Sequence, residues 1–282
     1  MKRIQIKYNS SLISCLCLGS GPKPVFCFHG YGEEAESFSF FEKYAGDQYT
    51  FYAIDLPFHG QTRWNDGLNF SVNDLQQIIK ELINKNNRNP QTGPRAEQNE
   101  GQKLSLMGFS LGGRAALSLY ERMPEEIEKI ILLAPDGLKV NFWYWLSTQT
   151  WIGNKFFAFT MKYPYWFFAF LKALNKLKVV NASIFKFVNY YIGDKEVRQL
   201  LYSRWTNLRK LKPHLGKIKS SVRMNETRVR LIYGMYDRII LPIRGEKFMK
   251  GIEEHCTLSV IHAGHQVLHE KHVNEILPAL LH

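Results

Sequence analysis

The chain is predicted to be an α/β protein with a doubly wound, mostly parallel sheet of eight strands. Short apolar runs of strand length alternate with helical patterns from residue 36 onward, and this alternation is typical of parallel strands covered by helices on both faces. With 282 residues, 45% of them hydrophobic, the chain can bury one large core and carry an appended insertion. The predicted strands are residues 3–8, 11–18, 24–29, 50–55, 103–108, 128–134, 228–233 and 256–261.

The first strand decides how the N-terminus is interpreted. Residues 1–3 (MKR) followed by residues 12–15 (LISC) resemble a bacterial lipoprotein cleavage site. A signal sequence needs a continuous apolar stretch, whereas residues 4–14 contain several polar side chains and residues 3–8 alternate as a half-buried strand does. We therefore expect a cytoplasmic protein, with its four cysteines as free thiols in a reducing compartment.

Ser110 lies in the segment 108–113 (GFSLGG), after the apolar run 104–107 and before a helical stretch from Arg114 to Arg122. A serine at the tip of so tight a turn takes a strained backbone conformation, which is tolerable only where neighbouring Cβ atoms are missing. Serine is also a common helix N-cap, but a cap does not require three flanking glycines. The pattern predicts that Ser110 is a nucleophile.

An acid and a histidine follow Ser110 in the chain, each in a loop after its own strand. Asp237 follows the buried strand 229–233, and His265 follows the strand-like run 257–261 and precedes a predicted terminal helix over 267–281. This chain order is that of one of several unrelated Ser-His-Asp arrangements, and here the sequence resembles the α/β-hydrolase superfamily. Asp136 is the competing acid, because some lipases of that superfamily use an acid after the preceding strand.

The resemblance extends upstream of Ser110. Residues 24–32 (PVFCFHGYG) look like the superfamily's strand and loop that donate one oxyanion amide, which by this match is the N–H of Tyr31. The second donor implied is the N–H of Leu111, at a helix N-terminus where an anion is favoured. Residues 55–62 (DLPFHGQT) are similar to the family's Asp-x-Pro-Gly-His-Gly-x-Ser turn and depart from it at Phe58, where glycine is usual.

The remaining histidines are interpreted as structural. Three of them lie close to His265 in the sequence, and their spacing alone suggests metal ligation: His262, His269 and His272. No cysteine or carboxylate pattern accompanies them, and the last two are predicted to lie on an exposed helix face. His29 and His59 are expected to be structural hydrogen-bonding residues near the rim of the pocket. We therefore expect neither a metal ion nor a cofactor.

Residues 138–212 interrupt the rhythm of strands and are predicted to form a helical cap, or lid, on a core of residues 1–137 and 213–282. Of the 39 aromatic residues in the chain, 18 lie between residues 141 and 191. A segment of this size has little core of its own, so several rings are expected to face a pocket, the sheet domain or something outside the protein.

The charge of the chain is concentrated in the same segment. Residues 138–212 contain 13 lysines and arginines and two acids, a net charge of +11 out of the total of +12. No nucleic-acid recognition motif accompanies this charge, so nucleic acid is not the expected partner. Aromatic rings interleaved with lysines are typical of a surface that meets anionic lipid; a solvated lysine face on an ordinary lid is the simpler interpretation.

The resemblance and the residue types together imply a serine hydrolase. The expected reaction is cleavage of carboxylic esters or thioesters with an apolar acyl group through an acyl-enzyme, with Ser110, His265 and Asp237 as the triad and Tyr31 and Leu111 as the oxyanion hole. In related proteins, carbon–carbon bond hydrolysis of ring-fission products and small-molecule peroxidation use the same triad, and the sequence does not separate these reactions. Some superfamily relatives are non-catalytic ligand-binding proteins, but a complete triad with both oxyanion positions argues against that class here. The sequence does not give the oligomeric state.

Overall fold

The computed structural model describes residues 1–87, 103–139, 142–176 and 192–281, and it confirms the predicted α/β fold. All eight predicted strands are present, and each begins and ends within one residue of its predicted bounds. They are β1 Lys2–Tyr8, β2 Ser11–Leu18, β3 Lys23–Phe28, β4 Tyr49–Ile54, β5 Leu104–Phe109, β6 Ile127–Leu133, β7 Arg228–Gly234 and β8 Cys256–Ile261.

The strands form a single sheet in the order β1-β2-β4-β3-β5-β6-β7-β8. Strands β1 and β2 are antiparallel to each other and β2 is antiparallel to β4, whereas the remaining neighbours are parallel. Every residue of β4 and β5 is buried, as expected for central strands with helices on both faces. The carboxyl ends of β3, β5, β6, β7 and β8 therefore share one edge, where ligands bind in folds of this kind.

Helices separate most of the strands. In chain order they are α1 Phe41–Ala45, α2 Val72–Asn87, α3 Leu111–Arg122, α4 Phe142–Gln149, α5 Trp151–Lys162, α6 Tyr165–Lys176, α7 Lys195–Asn207, α8 Leu215–Asn225, α9 Ile243–Met249 and α10 Val273–Leu281. Among the described residues, no helix is both long enough and apolar enough to cross a bilayer.

The terminal helix begins later than predicted. The helical pattern was predicted from residue 267, but α10 begins at Val273, after a 3-10 turn over Glu270–His272. Residues 267–269 are irregular because their amides bond locally: the N–H of Val267 to the carbonyl of His265, and that of His269 to the carbonyl of Val267. The His269 side chain then accepts the Lys271 N–H and caps the turn.

The chain divides into two compact units. The first comprises Met1–Asp66, Phe70–Lys139 and Leu211–His282, and contains the sheet; the second comprises Gly67–Asn69 and Val140–Lys210. Within the second unit, the ring of Trp205 on α7 packs against Tyr144 of α4 and Phe157 of α5, at centroid distances of 5.3 and 5.8 Å. The role of residues 138–212 as a lid stays a prediction.

Helix α3 approaches the backbone of β3 very closely, and this approach depends on one glycine. A Cβ atom on Gly112 would lie 1.8 Å from the carbonyl oxygen of Phe28, which is main chain and cannot rotate away. Two other glycines of the segment 108–113 are also constrained, since a Cβ on Gly108 or Gly113 would lie 2.5 Å from its nearest neighbouring atom. The three glycines around Ser110 are thus required by packing.

We predict that Gly112→Ala lowers the free energy of unfolding by about 3 kcal/mol or more, because overpacking against a fixed backbone forces α3 away from the sheet. Urea denaturation followed by far-UV circular dichroism measures this change. Gly216→Ala is the matched control: a Cβ there meets only the His214 side chain, at 3.3 Å, and alanine favours helix α8 by about 1 kcal/mol over glycine. Equal stability of the two variants would contradict the prediction.

Candidate active site

Ser110 occupies the turn between β5 and α3 and has the strained backbone predicted from the glycine pattern. Its φ of 48° and ψ of −114° lie in a region that non-glycine residues rarely adopt, at a cost of about 1–3 kcal/mol. Three backbone hydrogen bonds hold it there. Its N–H donates to the carbonyl of Leu133 (2.9 Å), and its carbonyl accepts the N–H groups of Gly113 (2.9 Å) and Asp136 (2.8 Å).

The structure brings together the three residues predicted as the triad. His265 Nε2 lies 3.0 Å from Ser110 Oγ, and His265 Nδ1 lies 2.7 Å from Asp237 Oδ2. Asp237 follows β7, His265 follows β8, and Ser110 follows β5, so the three side chains come from three separate loops at the carboxyl edge of the sheet. The His265 side chain is half-buried and that of Asp237 is fully buried.

The contacts of Asp237 assign the proton positions along this chain of hydrogen bonds. Its Oδ1 accepts the backbone N–H groups of Ile239 (2.7 Å) and Ile240 (2.9 Å), which fixes the carboxylate in place. An ionised carboxylate only accepts, so His265 Nδ1 carries the proton. In the neutral imidazole, Nε2 is then the acceptor, and Ser110 Oγ–H is its donor. This is the tautomer that removal of a proton from the serine requires.

Asp136, the competing acid, has other partners. It lies just past the end of β6 and forms an ion pair with the buried Arg114 on α3. Its second carboxylate oxygen accepts the N–H of Gly137 at 2.7 Å. The side chain of Asp136 is thus bonded to Arg114 and to the N–H of Gly137, whereas the imidazole of His265 is bonded to Asp237.

The two predicted oxyanion donors lie at the same edge as Ser110. Tyr31 is in the loop after β3, which is the parallel neighbour of β5, and Leu111 is the first residue of α3. The first amides of a helix have no acceptor within it and point towards the N-terminus, where the helix dipole attracts an anion. The role of both amides stays a prediction.

Buried side chains fix the loop that carries Tyr31. His29 Nδ1 donates to the carbonyl of Gly30 (2.8 Å), and its Nε2 accepts the N–H of Leu56 (3.1 Å). Asp55 Oδ1 accepts the N–H of Ala35 at 2.7 Å. His29 is therefore a structural hydrogen-bonding residue, as expected. In the adjoining turn, Phe58 adopts a φ of 64°, the left-handed conformation for which glycine is usual.

The structure adds a link that was not predicted, between the loops that carry Tyr31 and His265. Glu33 Oε1 accepts from the side-chain amide of Gln266 at 2.8 Å, and Glu33 Oε2 accepts the N–H of Gly30 at 3.2 Å. The two side chains are 233 positions apart in the sequence, so no local pattern indicates the pair. The one available signal is that each residue lies within two positions of a predicted site residue.

The histidines near His265 differ from their predicted placement. His262 and His269 are exposed, but His272 is buried, so the expectation of an exposed helix face is wrong for His272. It lies in the 3-10 turn before α10 rather than on the helix itself. Burial lowers the pKa of His272, with a smaller effect from Lys271 in the same direction.

The fold is that of an α/β hydrolase, and comparison with known proteins agrees. Residues 22–272 match the model of a hydrolase family described as serine aminopeptidase, S33. The chain belongs to this family. A serine hydrolase-like protein of Danio rerio is 26% identical over 120 residues, which cover 41% of this chain and 32% of that protein. The chain thus matches about a third of the length of this curated relative.

Solved structures share the whole fold at low sequence identity. A thermophilic esterase from Thermogutta terrifontis aligns with a TM-score of 0.64 and 15% identity, covering 100% of this chain and 98% of the other. The thioesterase domain from the curacin biosynthetic pathway aligns with a TM-score of 0.60 and 15% identity, covering 99% of each. Likeness at this level of identity establishes the fold, and the family match places the chain in a hydrolase family.

We predict that Glu33→Ala loosens the loop that carries Tyr31, because the N–H of Gly30 loses its acceptor and Gln266 loses its partner. Hydrogen–deuterium exchange of peptides covering residues 29–35 measures this, with protection of the Gly30 amide expected to fall about tenfold, the loss of roughly one hydrogen bond. Glu34→Ala is the matched control, since Glu34 is exposed and its side chain makes no capping hydrogen bond. Equal exchange in both variants would contradict the prediction.

Proposed function

We propose that this protein is a serine hydrolase that cleaves carboxylic esters or thioesters with an apolar acyl group. The observation that carries the proposal is the continuous set of hydrogen bonds from Ser110 through His265 to Asp237, at 3.0 and 2.7 Å. A serine hydroxyl is a weak nucleophile unless an adjacent base removes its proton. Here the base has the correct tautomer, and a buried carboxylate orients it.

In the first half of the reaction, Ser110 Oγ attacks the acyl carbon while His265 Nε2 takes its proton. The carbonyl oxygen becomes an oxyanion, which the N–H groups of Tyr31 and Leu111 stabilise. Asp237 stabilises the imidazolium and stays ionised. The imidazolium then returns its proton to the leaving alcohol or thiol, the bond to the leaving group breaks, and the acyl group stays on Ser110 as an ester.

In the second half, water replaces the leaving group. His265 Nε2 removes a proton from water as the oxygen attacks the acyl carbon, and the same two amides hold the second oxyanion. Collapse of this intermediate breaks the bond to Ser110 Oγ, which recovers its proton from the imidazolium. The products are the carboxylic acid and the regenerated enzyme.

The apolar nature of the acyl group is proposed from composition. Nearly half of the aromatic residues of the chain lie between residues 141 and 191, and sites for small molecules are lined mainly by apolar and aromatic side chains. The similarity of the fold to an esterase and to a thioesterase domain supports an oxygen or a sulfur leaving group equally.

We predict that Ser110→Ala lowers kcat by up to about a millionfold, because alanine removes the nucleophile. Turnover is measured with p-nitrophenyl esters from acetyl to palmitoyl, together with an acyl-CoA and a ring-fission diketone. We expect the longer acyl esters or the thioester to give the highest kcat/KM.

A fluorophosphonate probe supplies the control for this variant, since it should label the wild type and leave Ser110→Ala unlabelled. Labelling of the alanine variant would move the nucleophile to another residue. Turnover of the diketone alone would assign the protein to carbon–carbon bond hydrolysis. Absence of both labelling and turnover in the wild type would favour a ligand-binding relative.

We predict that Asp237→Asn lowers kcat by about ten-thousandfold and that Asp136→Asn changes it little. An asparagine at position 237 presents an amide to His265 Nδ1 and favours the wrong tautomer. At position 136 the same change removes the ion pair with Arg114, so we expect it to lower the stability of the fold rather than kcat. The two variants remove the same charge, so comparing their kcat values with the p-nitrophenyl esters isolates the partner of His265. The reverse ordering would make Asp136 the triad acid.

A further inference from the structure

Helix α5 (Trp151–Lys162) of the second unit directs large apolar side chains into solvent. Trp151 and Ile152 are 71% and 74% exposed, and Phe156 and Phe159 are exposed as well. At about 100° per residue, these four positions fall within about 140° of the helix circumference. They therefore form one continuous face of α5.

The opposite side of α5 already packs within its unit. The ring of Phe157 lies 5.4 Å from Tyr202 and 5.8 Å from Trp205, both on α7. Thr160 and Met161 are buried. Phe156 also contacts the ring of Trp166 on α6, at a centroid distance of 5.1 Å, and the rest of its side chain is exposed. Because α5 is anchored by these contacts, the exposed surfaces of Trp151 and Ile152 are additional to the packing that holds the helix in place.

Two lysines lie on the exposed side. Lys155 and Lys162 are exposed and fall at about 40° and 20° from Trp151 around the helix. The ammonium group of Lys155 lies 4.2 Å from the centroid of the Trp151 ring, within the range of a cation–π contact. We call the six residues together the outer α5 face: Trp151, Ile152, Lys155, Phe156, Phe159 and Lys162.

No acidic side chain near this face in the sequence offsets the lysines. The chain has no aspartate or glutamate between Asp136 and Asp194, and α6 adds the exposed Lys172 and Lys176. Asp194 is used at the start of α7, where its carboxylate accepts the N–H groups of Glu196 (2.8 Å) and Val197 (2.9 Å).

We propose that the outer α5 face binds the surface of an anionic lipid bilayer. Tryptophan and phenylalanine enter the boundary between headgroups and acyl chains, and lysines beside them meet anionic headgroups. An α-helix of 12 residues is about 18 Å long, shorter than the hydrocarbon core of about 30 Å. The helix therefore lies in the interface, with its Phe157 side still packed on α7.

The composition of the face favours lipid over other partners. Nucleic acid is bound by cations aimed at phosphates, whereas four of the six side chains here are large and apolar. A second copy of the chain would place this positively charged face against the same face, because a two-fold interface uses the same surface patch on both copies. An anionic bilayer satisfies both the apolar side chains and the charge.

The test is co-sedimentation of the whole chain with vesicles of phosphatidylcholine alone and of phosphatidylcholine with 30% phosphatidylglycerol (about a third, enough to create an anionic surface). We expect binding to the anionic vesicles, with the bound fraction falling as salt shortens the Debye length. Binding requires no turnover, so its failure would leave the proposed hydrolase activity untouched. Equal binding to both kinds of vesicle would overturn the proposal.

Two double variants separate the apolar part of the face from the charged part. Trp151→Ser with Ile152→Ser should weaken binding at least tenfold, since two apolar side chains no longer enter the bilayer. Lys155→Gln with Lys162→Gln should weaken binding to the anionic vesicles about thirtyfold, which corresponds to about 1 kcal/mol per lysine. Thermal denaturation should match the wild type in both cases, because all four side chains are exposed.

Matched controls lie in the first unit. Lys247→Gln with Lys250→Gln removes the same charge from exposed positions, and Met224→Ser removes an apolar side chain that is 83% exposed. Both should bind as the wild type does. Indistinguishable binding by a face variant and its control would overturn the proposal. So would a dimer in sedimentation velocity that Trp151→Ser with Ile152→Ser abolishes, because the face would then join two copies of the chain.

Discussion

The backbone of Ser110 is the constraint on which the site depends. Its φ of 48° is costly. The conformation persists because Ser110 donates its N–H to the carbonyl of Leu133 and accepts the N–H groups of Gly113 and Asp136. The same turn requires α3 to start against β3, a contact that the missing Cβ of Gly112 permits. The sheet, the turn and the first helical amides thus fix one another, and the Ser110 hydroxyl is directed at His265 as a consequence.

The direction of the strands explains why residues so far apart in sequence meet. Parallel neighbours deliver all their following loops to one edge, so Ser110, Asp237 and His265 need only the correct loop to converge. Asp136 lies at the same edge and yet bonds to Arg114 and Gly137. The difference between the two acids is therefore one of partners: the carboxylate of Asp237 has two amides to hold it and an imidazole to orient, and that of Asp136 has a cation to neutralise.

Local sequence patterns were sufficient to predict most of the fold and the loops that carry the candidate site. All eight strands followed from apolar runs and alternation, and the loop positions of Ser110, Asp237 and His265 followed from the strands before them. Two kinds of feature were not predictable: those set by distant partners, and those set by local hydrogen bonds that compete with a helix. The Glu33–Gln266 bond joins residues 233 positions apart, and the late start of α10 is set by local amide bonds around Val267 and by the His269 cap, which compete with helical periodicity. Hydrophobic periodicity indicates which face of a segment is buried. It does not indicate where local hydrogen bonds replace the first turn of a helix.

The aromatic residues of the second unit also show what the sequence alone does not predict. Composition predicted that several rings have no core to enter, but it did not indicate which rings are packed and which are exposed. The structure sorts them by helix face: Phe157 packs on α7, whereas Trp151 and Phe159, on the same helix, meet solvent. Apolar surface that stays exposed forgoes a hydrophobic free energy of about 25 cal/mol for each Å². The proposed burial in a bilayer would recover that free energy, and it would leave the charged groups of the lysines at the headgroups.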